Sequence, residues 1–132
     1  MRSYFVLILL AASASFACAE DCENTADQAS MNACADESFK KADADLNAVY
    51  KKLQDRKSDD EEAVKALVAA ERAWIAFRDA ECRFDSADNL GGSIYPMVYA
   101  DCQERLTRTR IDQLDRYLRC EEGEAACSEP EK

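Results

Sequence analysis

The sequence predicts an all-α fold, a small antiparallel bundle of about three helices cross-linked by disulfides. Three observations carry this. Gly and Pro are scarce, three and two residues in 132, while Ala, Glu, Lys, Leu and Arg abound; that mix favours helix over strand. Apolar residues recur at steps of three and four through three long stretches, the period of a helix with one buried face. Six cysteines follow a short apolar leader, and an even count in an exported chain is the mark of a disulfide framework.

The leader is residues 1–19. Arg2 precedes an apolar run from Tyr4 to Ala12, and small residues end in Ala17-Cys18-Ala19, the form of a secretory signal cut after Ala19. The apolar run is too short to span a bilayer. Cleavage there removes Cys18 and turns seven cysteines into six: Cys22, Cys34, Cys82, Cys102, Cys120 and Cys127. A lipid-anchored alternative would place Cys18 at the cut, but Ser15-Phe16-Ala17 fits that pattern poorly. The expected product is a periplasmic or secreted chain of 113 residues, long enough for one domain with a modest core. We read residues 20–119 as the helical domain and 120–132 as an acidic tail with its own cysteine pair, Cys120 and Cys127.

The first helix is expected from about Gln28 to Lys57, with Met31, Cys34, Phe39, Ala42, Leu46, Val49, Tyr50 and Leu53 on its apolar side. Ser58-Asp59-Asp60 reads as a turn that ends in an N-cap, and Glu61 and Glu62 suit the first turn of a second helix. That helix should run from about Asp60 to Phe84 through Val64, Leu67, Val68, Trp74, Ile75, Phe77 and Cys82. Asp85 to Pro96 is the breaker-rich stretch, with Asn89, Gly91, Gly92 and Ser93. A third helix follows from about Pro96, with Val98, Tyr99, Cys102, Leu106, Ile111, Leu114, Tyr117 and Leu118 inward. Short connections make successive helices antiparallel. Six cysteines allow 15 pairings; we expect Cys82–Cys102 to close the Gly-rich connection, with Cys22–Cys34 and Cys120–Cys127 as local clips. Cys34–Cys82 is the alternative, because the first two helices should lie side by side.

The chemistry is limited by what is absent. There is no His, which removes the commonest general base, the Ser-His and Cys-His nucleophile systems and the usual zinc ligands. No C-x-x-C, G-x-S-x-G or phosphate-cradling Gly loop is present. Asp59-Asp60-Glu61-Glu62 and Asp43/Asp45 lack the twelve-residue calcium-loop pattern; the first is more simply a solvated helix start. We therefore expect no catalytic residues, no metal and no cofactor. With the leader removed, 16 basic and 27 acidic residues leave a net charge of −11. That disfavours nucleic acid and anionic lipid as partners and suits a cationic protein or simple solubility. No second apolar stretch is long enough to span a membrane.

Several segments together carry a resemblance. They are Met31-Asn32-Ala33-Cys34, Ala42-Asp43-Ala44-Asp45-Leu46-Asn47-Ala48-Val49-Tyr50, and Ala73-Trp74-Ile75-Ala76-Phe77-Arg78-Asp79-Ala80-Glu81-Cys82. Gly91-Gly92-Ser93-Ile94-Tyr95, Cys102, Leu106-Thr107, Arg110-Ile111 and Leu114 complete the set. The chain resembles the LprI-like lysozyme inhibitors, small exported bacterial proteins with a helical domain, from about Cys22 to Leu118. Within the matched segments Trp74, Leu46, Tyr50 and Phe77 read as core. Asp43, Asn47, Arg78, Asp79, Glu81, Thr107 and Arg110 read as a buried polar network, with Asp43 or Glu81 serving the arginines; direct contact of these residues with a partner is the alternative.

The resemblance implies a binding protein that inhibits a lysozyme-type muramidase, and the negative charge would steer it to a basic one. Occlusion of the sugar cleft by a protruding element would point to the loop residues Asn89, Gly92, Ser93 and Tyr95. The same loop reads more simply as a plain connector. A periplasmic structural or adaptor domain shares these features, and a carboxylate-dependent enzyme is a weaker third reading.

Overall fold

The computed structural model describes Cys22 and residues 26–120. Three helices account for nearly all of them: α1 (Gln28–Arg56), α2 (Glu61–Asp85) and α3 (Tyr95–Arg119), with a short 3₁₀ turn at Ala87–Asn89. Each start has a local cause. Asp27 caps α1 by accepting from the Ser30 backbone N–H at 3.0 Å, and Asp60 caps α2 by accepting from Ala63 at 3.0 Å. Glu61 and Glu62 occupy the positive end of α2. The third helix begins without a side-chain cap; Pro96 in its first turn presets the backbone and has no N–H to satisfy. These bounds match the expected ones to within one residue.

The chain runs up, down and up. Asn32 reaches Ser93 at one end of the bundle, and Arg56 donates to the carbonyls of Leu118 and Cys120 at the other, so α1 and α3 are parallel. The second helix runs against both, with Glu71 beside Arg110 and Cys82 bonded to Cys102. Backbone packing is closest between α1 and α3, which lie together along their length, while α2 leans on α3. No comparably close approach joins the backbones of α1 and α2; long side chains bridge them instead. This corrects the expectation that the first two helices lie flank to flank.

Along its axis the bundle has three layers. Leu46, Val49, Leu53 and Leu114 form an apolar core at the end remote from the 86–94 loop, with Tyr50, Leu67, Trp74, Ile111 and Leu118 packed around it. Polar side chains fill the middle. The loop end is built from small or cross-linked residues: buried Ala35, Ala100, Ser86 and the disulfide Cys82–Cys102. A second disulfide, Cys22–Cys34, ties the lead-in to α1, which excludes Cys34–Cys82. The expected Cys120–Cys127 clip involves Cys127, which lies outside the described residues, as does the leader. The bridges suit an oxidising, extracytoplasmic compartment. Among the described residues no helix is long and apolar enough to cross a membrane.

Three residues expected on inward apolar faces are elsewhere. Phe77 is 54% exposed, and Ile75 and Tyr117 are exposed as well. The buried residues of α2 are Glu71, Arg78 and Cys82; with Trp74 they lie three, four and four residues apart, one helical face. At 100° per residue Phe77 falls about 60° outside Trp74 and on the solvent side. The face that α2 turns inward sets the charged Glu71 and Arg78 among Leu67, Trp74 and Cys82, so hydrophobicity misplaced it.

Candidate functional site

Two groupings are candidates, the mid-bundle polar layer and the loop between α2 and α3. The polar layer centres on Arg78, which is buried. Its Nε donates to Asp79 Oδ1 at 3.0 Å, and its Nη1 donates to Asp43 Oδ1 at 3.1 Å and approaches the fully buried Thr107 hydroxyl at 3.5 Å. The guanidinium also lies 5.0 Å from the ring centre of Phe39 and 5.3 Å from that of Trp74. A single side chain therefore links all three helices, which its planar donor fork and weak hydration allow and a lysine would not.

Arg110 approaches the same indole at 5.8 Å, so Trp74 is shared by two cations. Its Nε and Nη2 both donate to Glu71 Oε2 at 3.1 Å, and its Nη1 donates to Gln113. The other Glu71 oxygen, Oε1, is buried without a hydrogen-bond partner among the described residues. Gln103 donates to Asp79 Oδ1 at 3.1 Å. Asn47 is exposed and braces Asp43 from one turn away, donating to its carbonyl at 2.9 Å.

Of the residues expected in this layer, Asp43, Arg78, Asp79 and Thr107 come together directly; Arg110 joins through Trp74 and Asn47 through Asp43. Glu81 does not. It is exposed, about 60° around α2 from Arg78 and away from α3; Glu71 serves Arg110 instead. Sequence reasoning missed Glu71, Gln103 and Phe39. Glu71 had a signal: it stands three before Trp74 and seven before Arg78, on the same face.

The loop is a closed device at the opposite end from the apolar core. The Cys82–Cys102 bond spans it at its base. Ser86, fully buried, donates its hydroxyl to the Cys82 carbonyl at 2.6 Å and starts the 3₁₀ turn. Successive backbone bonds follow from Asn89 to Ser86, Leu90 to Ala87, Gly92 to Asn89 and Tyr95 to Gly92. Gly91 takes φ +82° in open space, where any side chain would be strained. Gly92 lies so close to the Asn89 carbonyl that a Cβ would sit at 3.1 Å from it. Asn32 of α1 donates to the Ser93 carbonyl at 2.9 Å, and Tyr95 stacks on Tyr99 at 5.9 Å between ring centres.

Of the expected loop residues, Gly92 and Ser93 are exposed, while Asn89 and Tyr95 are half-buried. Tyr95 is a support for the loop more than its tip. The tip also displays apolar side chains that sequence reasoning left out: Leu90 is 75% exposed and Ile94 is 37% exposed. A leucine between Asn89 and Gly91, in a stretch otherwise built of turn residues, was the available signal.

Beside the Cys22–Cys34 bond lies an open groove of about 340 Å³, lined by Met31, Met97, Ser38 and Asp101 among others. Partial burial, reinforced by the nearby Glu104, pushes the Asp101 carboxyl above its ordinary value. Burial also pushes the Tyr99 phenol up, with Asp79 adding to it. Among the described residues no group of three or more His, Cys, Asp or Glu side chains is placed to hold a metal ion.

The net negative charge is unevenly spread. The three helices together carry 15 acidic and 14 basic residues, so they are nearly neutral. The rest of the sequence carries 12 acidic and three basic residues, concentrated in the lead-in, the turn before α2 and the tail.

The family described as lysozyme inhibitor LprI matches residues 18–114. An uncharacterised protein of Rhizobium meliloti (strain 1021), R02472, is 34% identical over 114 residues, which cover 78% of this chain and 82% of the relative. A solved structure, that of a DUF1311 family protein from Pseudomonas putida KT2440, superposes with a TM-score of 0.59 at 26% identity. The match covers 67% of this chain and 90% of that one.

Proposed function

Since this chain belongs to the LprI lysozyme inhibitor family, we propose that it is an exported binding protein that inhibits a lysozyme-type muramidase without turning over a substrate. The family match over residues 18–114 carries the reading. The 86–95 loop is the element proposed to enter the enzyme's sugar cleft. A cleft of this kind is lined by aromatic and apolar walls that hold sugar faces and by a pair of carboxylates. Leu90 and Ile94 offer apolar contact, and the Ser93 hydroxyl can donate to a carboxylate. The two glycines keep the tip thin enough for close backbone approach. Asn89 holds the turn through its backbone, and Tyr95 fixes the base of the loop.

Preorganisation supports this assignment. The loop is cross-linked at its base, bonded to itself at every second or third residue and tied to α1 through Asn32. Docking a loop already held in shape loses little conformational entropy. The acidic segments outside the helices would raise the encounter rate with a cationic muramidase at low salt and lose that effect as salt rises.

The test is a lysis assay with mature protein at micromolar excess over muramidases of several classes. Inhibition by the wild type, weakened about tenfold or more in a Leu90→Asp, Ser93→Ala double variant that keeps the wild-type helical content, is the expected result. Unimpeded lysis by every class would remove the function. Full inhibition by the double variant would remove the loop.

A further inference from the structure

The outer face of α2 is apolar and, among the described residues, unpartnered. Ala66, Ala70, Ala73, Phe77, Ala80 and Phe84 are all exposed, Phe77 by 54% and Phe84 by 79%. Their spacing is four, three, four, three, four, the heptad alternation of a coiled-coil seam. The seam is distinct from the face that α2 uses within the bundle, where Glu71, Trp74, Arg78 and Cys82 point inward. The stripe runs for about five turns and carries two exposed aromatics two turns apart, more than the scattered apolar residues of an ordinary surface.

We propose that this seam pairs with the same seam of a second copy, antiparallel and about a two-fold axis near Ile75. In that register each large residue meets a small one. Phe84 faces Ala66 of the second copy, Phe77 faces Ala73, and Ala80 faces Ala70. A knob therefore finds a hole at both aromatic positions on both chains, and opposed helix dipoles are antiparallel. Charge permits it although the whole protein is acidic. Residues 63–84 carry three acidic and four basic side chains, so the surface that would meet itself is close to neutral.

Neither 20–27 nor 121–132 contains a single Val, Leu, Ile, Met or aromatic residue. The seam is about 27 Å long at 1.5 Å per residue. A strip of that length and one helix wide falls short of the roughly 800 Å² per partner of a standard interface. The dimer is accordingly weak and reversible. This inference is independent of muramidase binding.

Sedimentation equilibrium of the mature chain from about 10 μM to 1 mM tests it, with Phe77→Glu as the variant. Phe77 is exposed, so the variant is expected to keep the wild-type circular dichroism and melting point. The expected result is concentration-dependent dimer in the wild type, and dimerisation weakened at least about tenfold in Phe77→Glu, because a carboxylate would be buried without a partner. A second readout fixes the geometry: Ala76→Cys, beside the two-fold axis, should cross-link to its own copy through a short bis-maleimide, whereas Ser38→Cys on α1 should not. A wild-type monomer at 1 mM, equal association of Phe77→Glu, or equal cross-linking at both positions would overturn the proposal. A monomer whose Phe77→Glu variant fails to inhibit lysis would instead give the face to the enzyme.

Discussion

Replacing Arg78 by Met should cost about 3 kcal/mol of stability. The side chain is buried, and methionine roughly matches its length without its charge. The loss begins with Asp43 and Asp79, which keep their charges and lose their main cation. A fully buried ion pair broken on one side costs about 3–5 kcal/mol. Here the side chains of Asp43 and Asp79 are 42% and 30% exposed, so water re-solvates them in part and the loss falls below that range, to about 2 kcal/mol. Thr107, with no exposure at all, loses an acceptor contact worth about 1 kcal/mol. The contacts with Phe39 and Trp74 add about 0.5–1 kcal/mol, offset by the burial of the methionine itself. Against a total stability of about 5–15 kcal/mol, the variant should melt well over 10 °C below the wild type. Trp74 is the only tryptophan in the chain and touches Arg78 directly, so its fluorescence and far-ultraviolet circular dichroism report the same transition from the site and from the helices. Urea melts of wild type, Arg78→Met and Arg78→Lys give the comparison. The lysine variant should recover less than half of the loss, because one ammonium cannot reach Asp43, Asp79 and two ring faces together. A loss below 1 kcal/mol in Arg78→Met, or full recovery by lysine, would refute the view that the guanidinium fork holds the three helices together.

Two further outcomes follow from the same structure. Changing both Cys82 and Cys102 to Ser should lower stability by about 3 kcal/mol through the loss of a loop constraint of about twenty residues. Limited proteolysis should then cut first between Leu90 and Ser93, since the bond closes the base of that loop; an unchanged cleavage map would count against its restraining role. Asp101→Asn should raise the melting point at pH 7. The folded state holds this carboxyl above its ordinary value, so the native state binds more protons and stability falls as pH rises through that interval. Below the ordinary carboxylate range both states are protonated and the gain should vanish, which melts at pH 3 and pH 7 compare directly.

Much of this fold was legible because its causes are local. Asp27 and Asp60 end their turns as caps whatever packs above them, and the pair Glu61 and Glu62 favours a helix start by charge alone. The Cys22–Cys34 and Cys82–Cys102 bridges join residues that short connections hold near one another. The inward face of α2 was less legible, because the usual signal there is inverted. Glu71 and Arg78 are buried while Phe77 and Phe84 are exposed, so a reading that sends apolar side chains inward rotates the helix. Arg78 was nonetheless traceable, since an arginine one turn from a central tryptophan invites a carboxylate partner. Asp43, one of the two carboxylates expected to serve the arginines, meets it from 35 residues away, and Thr107, expected in the same network, from 29; the other expected carboxylate, Glu81, is exposed instead.

The chain by itself determined the helical content, the places where helices start and stop and the up-down-up order, since caps, breakers and period act within a few residues; it favoured the two bridges that the structure shows. Tertiary structure decided which helices share backbone contact, which arginine meets which carboxylate, and which apolar residues stay in water. Those choices depend on the rotation of each helix about its axis. That rotation is set by the sum of many contacts across the bundle, and here one guanidinium satisfied on three helices outweighs two phenylalanines left outside.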